Sequence, residues 1–261
     1  MKGGEVVLRE QRHEVILEDL KKFGIIKVSD LTERLETTEM TIRRDLKYLE
    51  EKDLLIRIHG GAKSKDINRF EELSPHEKRN INVEKKNEVA EIAASLIKDN
   101  DIVYIGPGTT TEVMHNYIKA SQVKIITNCL NIFEEFRHDD RFELILIGGR
   151  FREKTSTFVG SITNDTLERI RVKAAFIGAN GISGDQIMTS NEDEGQSQKV
   201  ILNNAENRYV ICDSSKIERE DFYTLYKLRD MTALVTDHEL DKDLKRRYSK
   251  YCKILDKIKE E

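Results

Sequence analysis

The chain has 261 residues, 38% of them hydrophobic and 35% charged, which is enough apolar material for a substantial core and too much chain for one small domain, so two domains of unequal size are expected. A formal net charge of -4 excludes a global field drawing the whole molecule to nucleic acid or to a membrane, and leaves any DNA affinity to local basic patches. Cys129, Cys212 and Cys252 are too far apart for a zinc spacing, Met1-Lys2-Gly3-Gly4-Glu5 lacks the apolar run of a signal peptide, and no stretch approaches the roughly 20 apolar residues that span a bilayer, so a reduced, cytoplasmic protein without metal, cofactor or membrane partner is expected.

From Arg9 to Phe23, Val15, Ile16, Leu20 and Phe23 recur at helical spacing, and Gly24 is placed to stop that helix. A second helix follows, capped by Ser29 or Asp30 and burying Leu31 and Leu35, with Glu36 and Thr37 as the short turn out of it. Thr37 and Thr38 offer hydroxyls to cap a third helix, in which Met40, Ile42, Leu46 and Leu49 form a stripe facing a core. Its opposite side carries Thr41, Arg43, Arg44 and Lys47, which alternate around the helix, so that some reach bases in a major groove while others meet phosphates.

Lys52-Asp53 ends this helix, and Leu54-Leu55-Ile56-Arg57-Ile58 alternates as a strand before a turn at Gly60-Gly61. The expected wing places Arg57, His59, Lys63 and Lys65 near its tip. Residues 1–65 nevertheless hold 14 Lys or Arg against 13 Asp or Glu, so the segment lacks the strongly basic balance common in DNA binders. Three ordered helices, paired arginines and a glycine-turned hairpin together read as a winged helix-turn-helix, with Thr38, Thr41, Arg43, Arg44, Lys47, Arg57, His59 and Gly60 as DNA-binding candidates.

Residues 66–82 are polar, contain Pro75 and interrupt the periodic pattern, which predicts a linker, with a second domain over 83–261. That domain opens on an amphipathic helix with Val89, Ile92, Ala93, Leu96 and Ile97. Short apolar runs follow at Ile102 to Ile105, Lys124 to Thr127, Leu144 to Ile147, Ala174 to Ile177, Tyr209 to Cys212 and Ala233 to Val235, most of them separated by helix-sized intervals. This alternation predicts an α/β domain with a mainly parallel sheet, and the charged segment Lys253 to Glu261 reads as a solvated tail.

The first of these strands runs into Gly106-Pro107-Gly108-Thr109-Thr110-Thr111-Glu112, a tight, hydroxyl-rich loop opening a helix. Glycines let backbone N–H groups approach an anion and threonines add donors, so a phosphate is the natural guest, a plain capped turn being the alternative. Other strand exits are small or polar: Thr127-Asn128, Gly148-Gly149, Gly178-Ala179-Asn180-Gly181 and Asp213. Converging on one rim, they suit a small polyhydroxylated anion. Acidic Glu192-Asp193-Glu194 and Asp213-Ser214-Ser215-Lys216 add carboxylates and a lysine, the first two acids reading as surface groups.

Thr41 to Leu46 followed by His59-Gly60-Gly61-Ala62 resembles the DNA-binding signature of the DeoR family of bacterial transcriptional regulators. The likeness continues from Gly108-Thr109-Thr110 through Asn128, Gly148-Gly149, Gly160, Ala175-Phe176-Ile177-Gly178, Asp213 to Lys216 and Thr236-Asp237. It implies a winged helix-turn-helix followed by a sensor domain similar in fold to sugar-phosphate isomerases. By that likeness Gly108 to Thr111 bind phosphate, and Asn128, Asn180, Glu194 and Lys216 approach the sugar; Gly106, Gly148 and Gly149 complete the ligand-binding candidates. Many members open the loop with an aspartate where this chain has Gly106-Pro107, which removes one sugar-hydroxyl contact from what the likeness implies. Gly-Pro-Gly-Thr-Thr, Met188-Thr189-Ser190 and Leu202-Asn203-Asn204 are most similar to the lactose phosphotransferase-system repressor subgroup, which implies tagatose 6-phosphate as effector.

The expected function is therefore a non-enzymatic repressor of sugar catabolism, a homo-oligomer (dimer or tetramer) whose hold on operator DNA is controlled by a phosphorylated sugar effector. A sugar-phosphate isomerase with an accessory DNA-binding domain is the alternative, and a winged helix serving protein interaction is a third.

Overall fold

In the computed structural model the described residues are 9–258, apart from Gly24, Glu36, His59 and 65–71. The expectations placed on those four positions or stretches, including Lys65, and on the side chains of Phe23 and Lys63 lie outside the described residues. Two compact units are formed, Met1–Glu71 and Glu72–Glu261.

The first unit runs α1 (Arg9–Phe23), β1 (Ile25–Lys27), α2 (Val28–Arg34), α3 (Glu39–Glu51), β2 (Leu55–Ile58) and β3 (Gly61–Ser64). Its core gathers Ile16 and Leu20 from α1, Leu31 from α2, Ile42, Leu46 and Leu49 from α3, and Leu55 and Ala62 from the wing. Truncating one of these large side chains to Ala should cost about 2–5 kcal/mol. Thr38 caps α3, its hydroxyl accepting from the Thr41 amide at 3.3 Å. By contrast α2 starts on Lys27 without a side-chain cap, correcting the expectation of Ser29 or Asp30; the chain passes directly from β1 into the helix, so both residues fall inside its first turn. Met40 is a second correction, for it is 72% exposed: one residue into α3 it lies on the side away from Ile42 and Leu46.

The wing is a three-stranded antiparallel sheet in the order β1-β3-β2. Gly60 turns it at φ 76°, and a Cβ on Gly61 would sit 2.0 Å from the Ile26 carbonyl oxygen, so only glycine lets β3 lie against β1.

The second unit runs α4 (Pro75–Arg79), α5 (Val83–Ala94), β4 (Ile102–Ile105), α6 (Thr109–Glu112), β5 (Val123–Thr127), α7 (Leu130–Phe136), β6 (Phe142–Leu146), β7 (Arg150–Arg152), β8 (Thr157–Val159), α8 (Ser161–Glu168), β9 (Val172–Gly178), β10 (Gly181–Ser183), β11 (Gln186–Thr189), α9 (Glu192–Asn203), β12 (Ala205–Ile211), β13 (Tyr223–Lys227), β14 (Ala233–Val235), α10 (Lys242–Tyr248) and β15 (Lys253–Leu255). Seven strands form a parallel sheet in the order β15-β14-β12-β9-β4-β5-β6. Successive strand residues feed opposite faces: Val103 and Ile105 join α5 and α7 in one core, while Tyr104 joins α9 and α10 in the other.

Two further expectations change here. Lys253–Leu255 is no solvated tail but an edge strand pairing with β14, with Leu255 buried. Within the segment expected as linker, 66–82, the residues from Glu72 onward belong to the second unit, and Pro75 begins a helix instead of breaking one. Proline suits the first helical position, and Ser74 and Glu77 close a reciprocal capping box around it.

Candidate functional site

The exposed side of α3 carries Arg43, Arg44 and Lys47, with Thr38 and Met40 at its start. These basic groups are not equivalent. Arg43 pairs with Glu39 at 3.1 Å, Lys47 with Glu51 at 3.9 Å, and Arg57 of the wing with Glu50 at 3.0 Å. Arg44 has no acidic partner among the described residues. The helix is held from behind by Asp45, which is buried and faces Arg12, His13 and Arg9 of α1. Sequence reasoning passed over Asp45, although an acid within an apolar stripe was the signal.

In the second unit, chain order reverses between β4 and β9, the neighbours from which strands proceed in opposite directions across the sheet. A crevice at the carboxyl ends of the strands is expected at such a point. Here the Gly106 amide donates to the Phe176 carbonyl at 2.9 Å, and Gly108 sits at φ 155°, where a Cβ would come within 3.2 Å of Thr111 Oγ1. Thr109, Thr110 and Thr111 are buried in α6, and the Thr111 hydroxyl donates to the Gly108 carbonyl at 2.6 Å.

Lys78, Lys86 and Lys216 lie near enough to one another for their charges to interact, and the helices that carry the first two pack on α6. Lys86, on the buried stripe of α5, donates to the Lys78 carbonyl, and Lys78 donates to the Asn180 Oδ1 at 3.0 Å. Desolvation and then repulsion from Lys216 push the Lys78 ammonium down to about 8. Desolvation also lowers Lys86 to about 8, with Asp213 opposing and Lys216 and Lys78 adding to the fall. Lys216 is lowered as well, chiefly by desolvation. Burial is the largest cause in all three, and the acids around them, Glu72, Glu194 and Asp221 at Lys78, Asp213 and Glu112 at Lys86, and Asp213 and Asp221 at Lys216, offset it only in part. Arg79 fastens the same segment to α6 through buried Glu112 at 2.8 Å, and Asn82 reaches Asp213 at 3.0 Å.

The other sequence candidates divide. Asn180 lies beside Lys78 and also donates to Ser190 at 2.8 Å. Asn128 is committed internally, accepting from the Tyr104 hydroxyl at 2.6 Å and donating to the Phe158 carbonyl at 2.7 Å. Gly148 accepts from Thr163 at 2.9 Å, and a Cβ on Gly149 would fall 2.0 Å from the same hydroxyl, which makes this pair a packing feature at α8. Glu194, third in α9, accepts from Arg152 at 3.0 Å and from Thr155. Burial raises its pKa, more than Thr155 and Arg152 lower it. Arg152 also clamps Glu72 with both nitrogens; burial would raise the Glu72 pKa, but Arg152 holds it below the usual range.

Lys78, Lys86, Arg152 and Glu72 were all missed from sequence. Lys86 alone left a signal, a lysine three residues before Val89 on an otherwise apolar stripe. The described residues contain no cluster of His, Cys, Asp and Glu fit for a metal, and no helix among them is long and apolar enough to cross a membrane.

Residues 12–68 match the DeoR-like helix-turn-helix domain and residues 81–238 the DeoR C terminal sensor domain. The chain is 40% identical over 249 residues to the lactose phosphotransferase system repressor of Streptococcus mutans, covering 95% of this chain and 99% of that one. It is 35% identical over 250 residues to the repressor of the same name from Staphylococcus aureus, again covering 95% and 99%. Among solved structures, ribose 5-phosphate isomerase A of Methanocaldococcus jannaschii aligns with 52% of this chain and 55% of its own at 20% identity and a TM-score of 0.38, a likeness too low to carry functional weight. With both domains matched in order, and relatives matched over nearly their whole length, the chain belongs to the DeoR family of transcriptional regulators.

Proposed function

We propose that this protein is a sugar-responsive transcriptional repressor: its first unit binds operator DNA through α3 and the wing, and its second unit holds a phosphorylated sugar that controls that binding. The lysine cluster carries the reading. Lys78, Lys86 and Lys216 have been drawn out of water beside Gly108 to Thr111, an arrangement unfavourable by itself and relieved by a phosphate dianion. Asn180 and Asp213 supply neutral and acidic contacts for sugar hydroxyls on the same rim. The resemblance of the loop and flanking motifs to the lactose phosphotransferase-system repressors, a name that the matched relatives carry, makes tagatose 6-phosphate the first effector to try.

A binding role is favoured over isomerisation because Glu194, the carboxylate best placed to act as a base, is engaged by Arg152 and Thr155. DNA recognition by two copies in register would let a modest change in unit geometry release the operator, since typical couplings are about 5- to 150-fold. The test is a thermal-shift screen of phosphorylated sugars, followed by operator release measured with each hit. Saturation at about 100 times Kd should stabilise the second unit by about 2.7 kcal/mol. Lys78→Gln, Lys86→Gln and Lys216→Gln should each retain operator binding and lose the response. Turnover of ketose or aldose phosphates by the purified protein would overturn the reading.

A further inference from the structure

Glu72 is the first residue of the second unit, so the covalent path to the DNA-binding unit enters at its backbone. Its carboxylate is almost inaccessible and is gripped by the Arg152 guanidinium: Nη1 donates to Oε1 at 3.0 Å and Nη2 donates to Oε2, with Lys154 at 3.8 Å from the same oxygen. Nη1 of Arg152 also donates to Glu194 at 3.0 Å and to Thr155 at 3.1 Å. One guanidinium therefore holds both the first residue of the second unit and Glu194 at the start of α9. Lys78, six residues beyond Glu72, feels the charge of both Glu72 and Glu194.

We propose that Arg152 and Glu72 form the positioning pair through which the crevice controls the segment entering the DNA-binding unit. This inference rests on the effector reading above. A phosphate seated on Lys78 adds negative charge next to Glu72 and competes for the cations that hold it. Arg152 then keeps Glu194 and the crevice, while its grip on Glu72 weakens and the start of the segment is released. On this proposal the clamped form is the one that holds operator and an anion loosens the Glu72 clamp, so effector and operator oppose each other. Neither Glu72 nor Arg152 belongs to the lysine receptor or to the DNA face, so the pair acts on operator affinity by positioning and not by touching either ligand.

The experiment uses the full-length protein, an operator duplex selected by the wild-type protein from random sequence, and tagatose 6-phosphate, with other sugar phosphates as the panel. Operator Kd is measured with and without sugar phosphate, and sugar-phosphate affinity by calorimetry, for wild type, Glu72→Gln and Glu72→Asp. Glu72→Gln is expected to bind sugar phosphate at least as tightly as wild type and to bind operator as weakly without it as wild type does with it. The ratio of the two operator constants should collapse from tenfold or more toward one, and Glu72→Asp should restore part of it. A melting temperature near that of wild type, with intact sugar-phosphate binding, shows that the variants are folded. If Glu72→Gln keeps the full wild-type ratio, the positioning pair is disproved while the effector reading stands. If no sugar phosphate in the panel binds wild type, the effector reading fails first and this inference falls with it.

Discussion

Nε of Arg12 on α1 donates to Oδ2 of Asp45 on α3 at 2.8 Å, and the Asp45 carboxylate is only 2% exposed. Nε2 of His13 lies 3.1 Å from the other oxygen, and the His13 ring stacks on Tyr48 at 5.1 Å. The acid is thus the back anchor of the helix whose front carries Arg43 and Arg44. Replacing it by Ala takes away the carboxylate that Arg12, Arg9 and His13 share. Breaking a buried pair in this way costs about 3–5 kcal/mol. Asp45→Ala should lower the unfolding temperature of the first unit in calorimetry of the whole chain and abolish operator binding, with sugar-phosphate binding unchanged. Operator affinity within twofold of wild type would dismiss the anchor.

Arg44 should matter more than its neighbours. Arg43, Lys47 and Arg57 must each give up a carboxylate before meeting DNA, whereas Arg44 has none to give up among the described residues. A bidentate base contact is worth about 1–3 kcal/mol, so Arg44→Ala should weaken operator binding about tenfold or more and relax preference at one base position. Glu39→Gln, which frees Arg43, should tighten binding to operator and random duplex alike. Equal losses from Arg43→Ala and Arg44→Ala in a titration series would contradict the ranking.

Met40, exposed at the start of α3, has no role in the core, so Met40→Ala should change stability by no more than about 0.5 kcal/mol. On the DNA-facing end of the helix the same change should alter operator affinity. Urea denaturation and gel shift of one variant distinguish these effects, and a loss of stability of 2 kcal/mol or more would return Met40 to the core.

Sugar-phosphate affinity should depend on pH in a way the lysines fix. Lys78 and Lys86 sit at about 8 in the folded protein against an ordinary 10.5. Their folded values are depressed, so the cost of burying the charged forms is present below about pH 8 and fades as pH rises from there toward 10.5. An anion favours the protonated forms, so affinity should fall as pH climbs above about 8, with protons taken up on binding. The phosphate itself loses charge below its second pKa of about 6, which weakens binding on the acid side. Calorimetry in buffers of different ionisation enthalpy reads the proton uptake directly; flat affinity between pH 7 and 10 would sever the lysines from the ligand.

The elements legible in the sequence were those whose burial leaves a repeated mark. Ile102–Ile105 and Ala233–Val235 were located residue for residue because central parallel strands are apolar on both faces. Lys253–Leu255 escaped because an edge strand of three residues needs only one buried side chain, and its flanking charges looked like a tail. The antiparallel sheet β10-β11-β13 and the hairpin β7-β8 escaped because their strands are only three to five residues long, too short for an alternating pattern to stand out. Of the candidate site, the strand-end loop was readable as glycine and threonine chemistry. Lys78 was not, because it comes from a segment whose Pro75 looked like a breaker, and only Ser74 and Glu77 together reveal that it starts a helix.

The pairing of Arg43, Lys47 and Arg57 with their own carboxylates has a consequence for the search through a genome. A binder that presents free cations to any duplex is held almost everywhere by release of counterions, and must leave countless wrong sites before reaching the right one. Here most of the cations on the reading face are already satisfied within the protein. Random sequence offers them little, so the protein stays mobile among unrelated sequences, and only a site that repays the exchange of partners, contact by contact, can keep it.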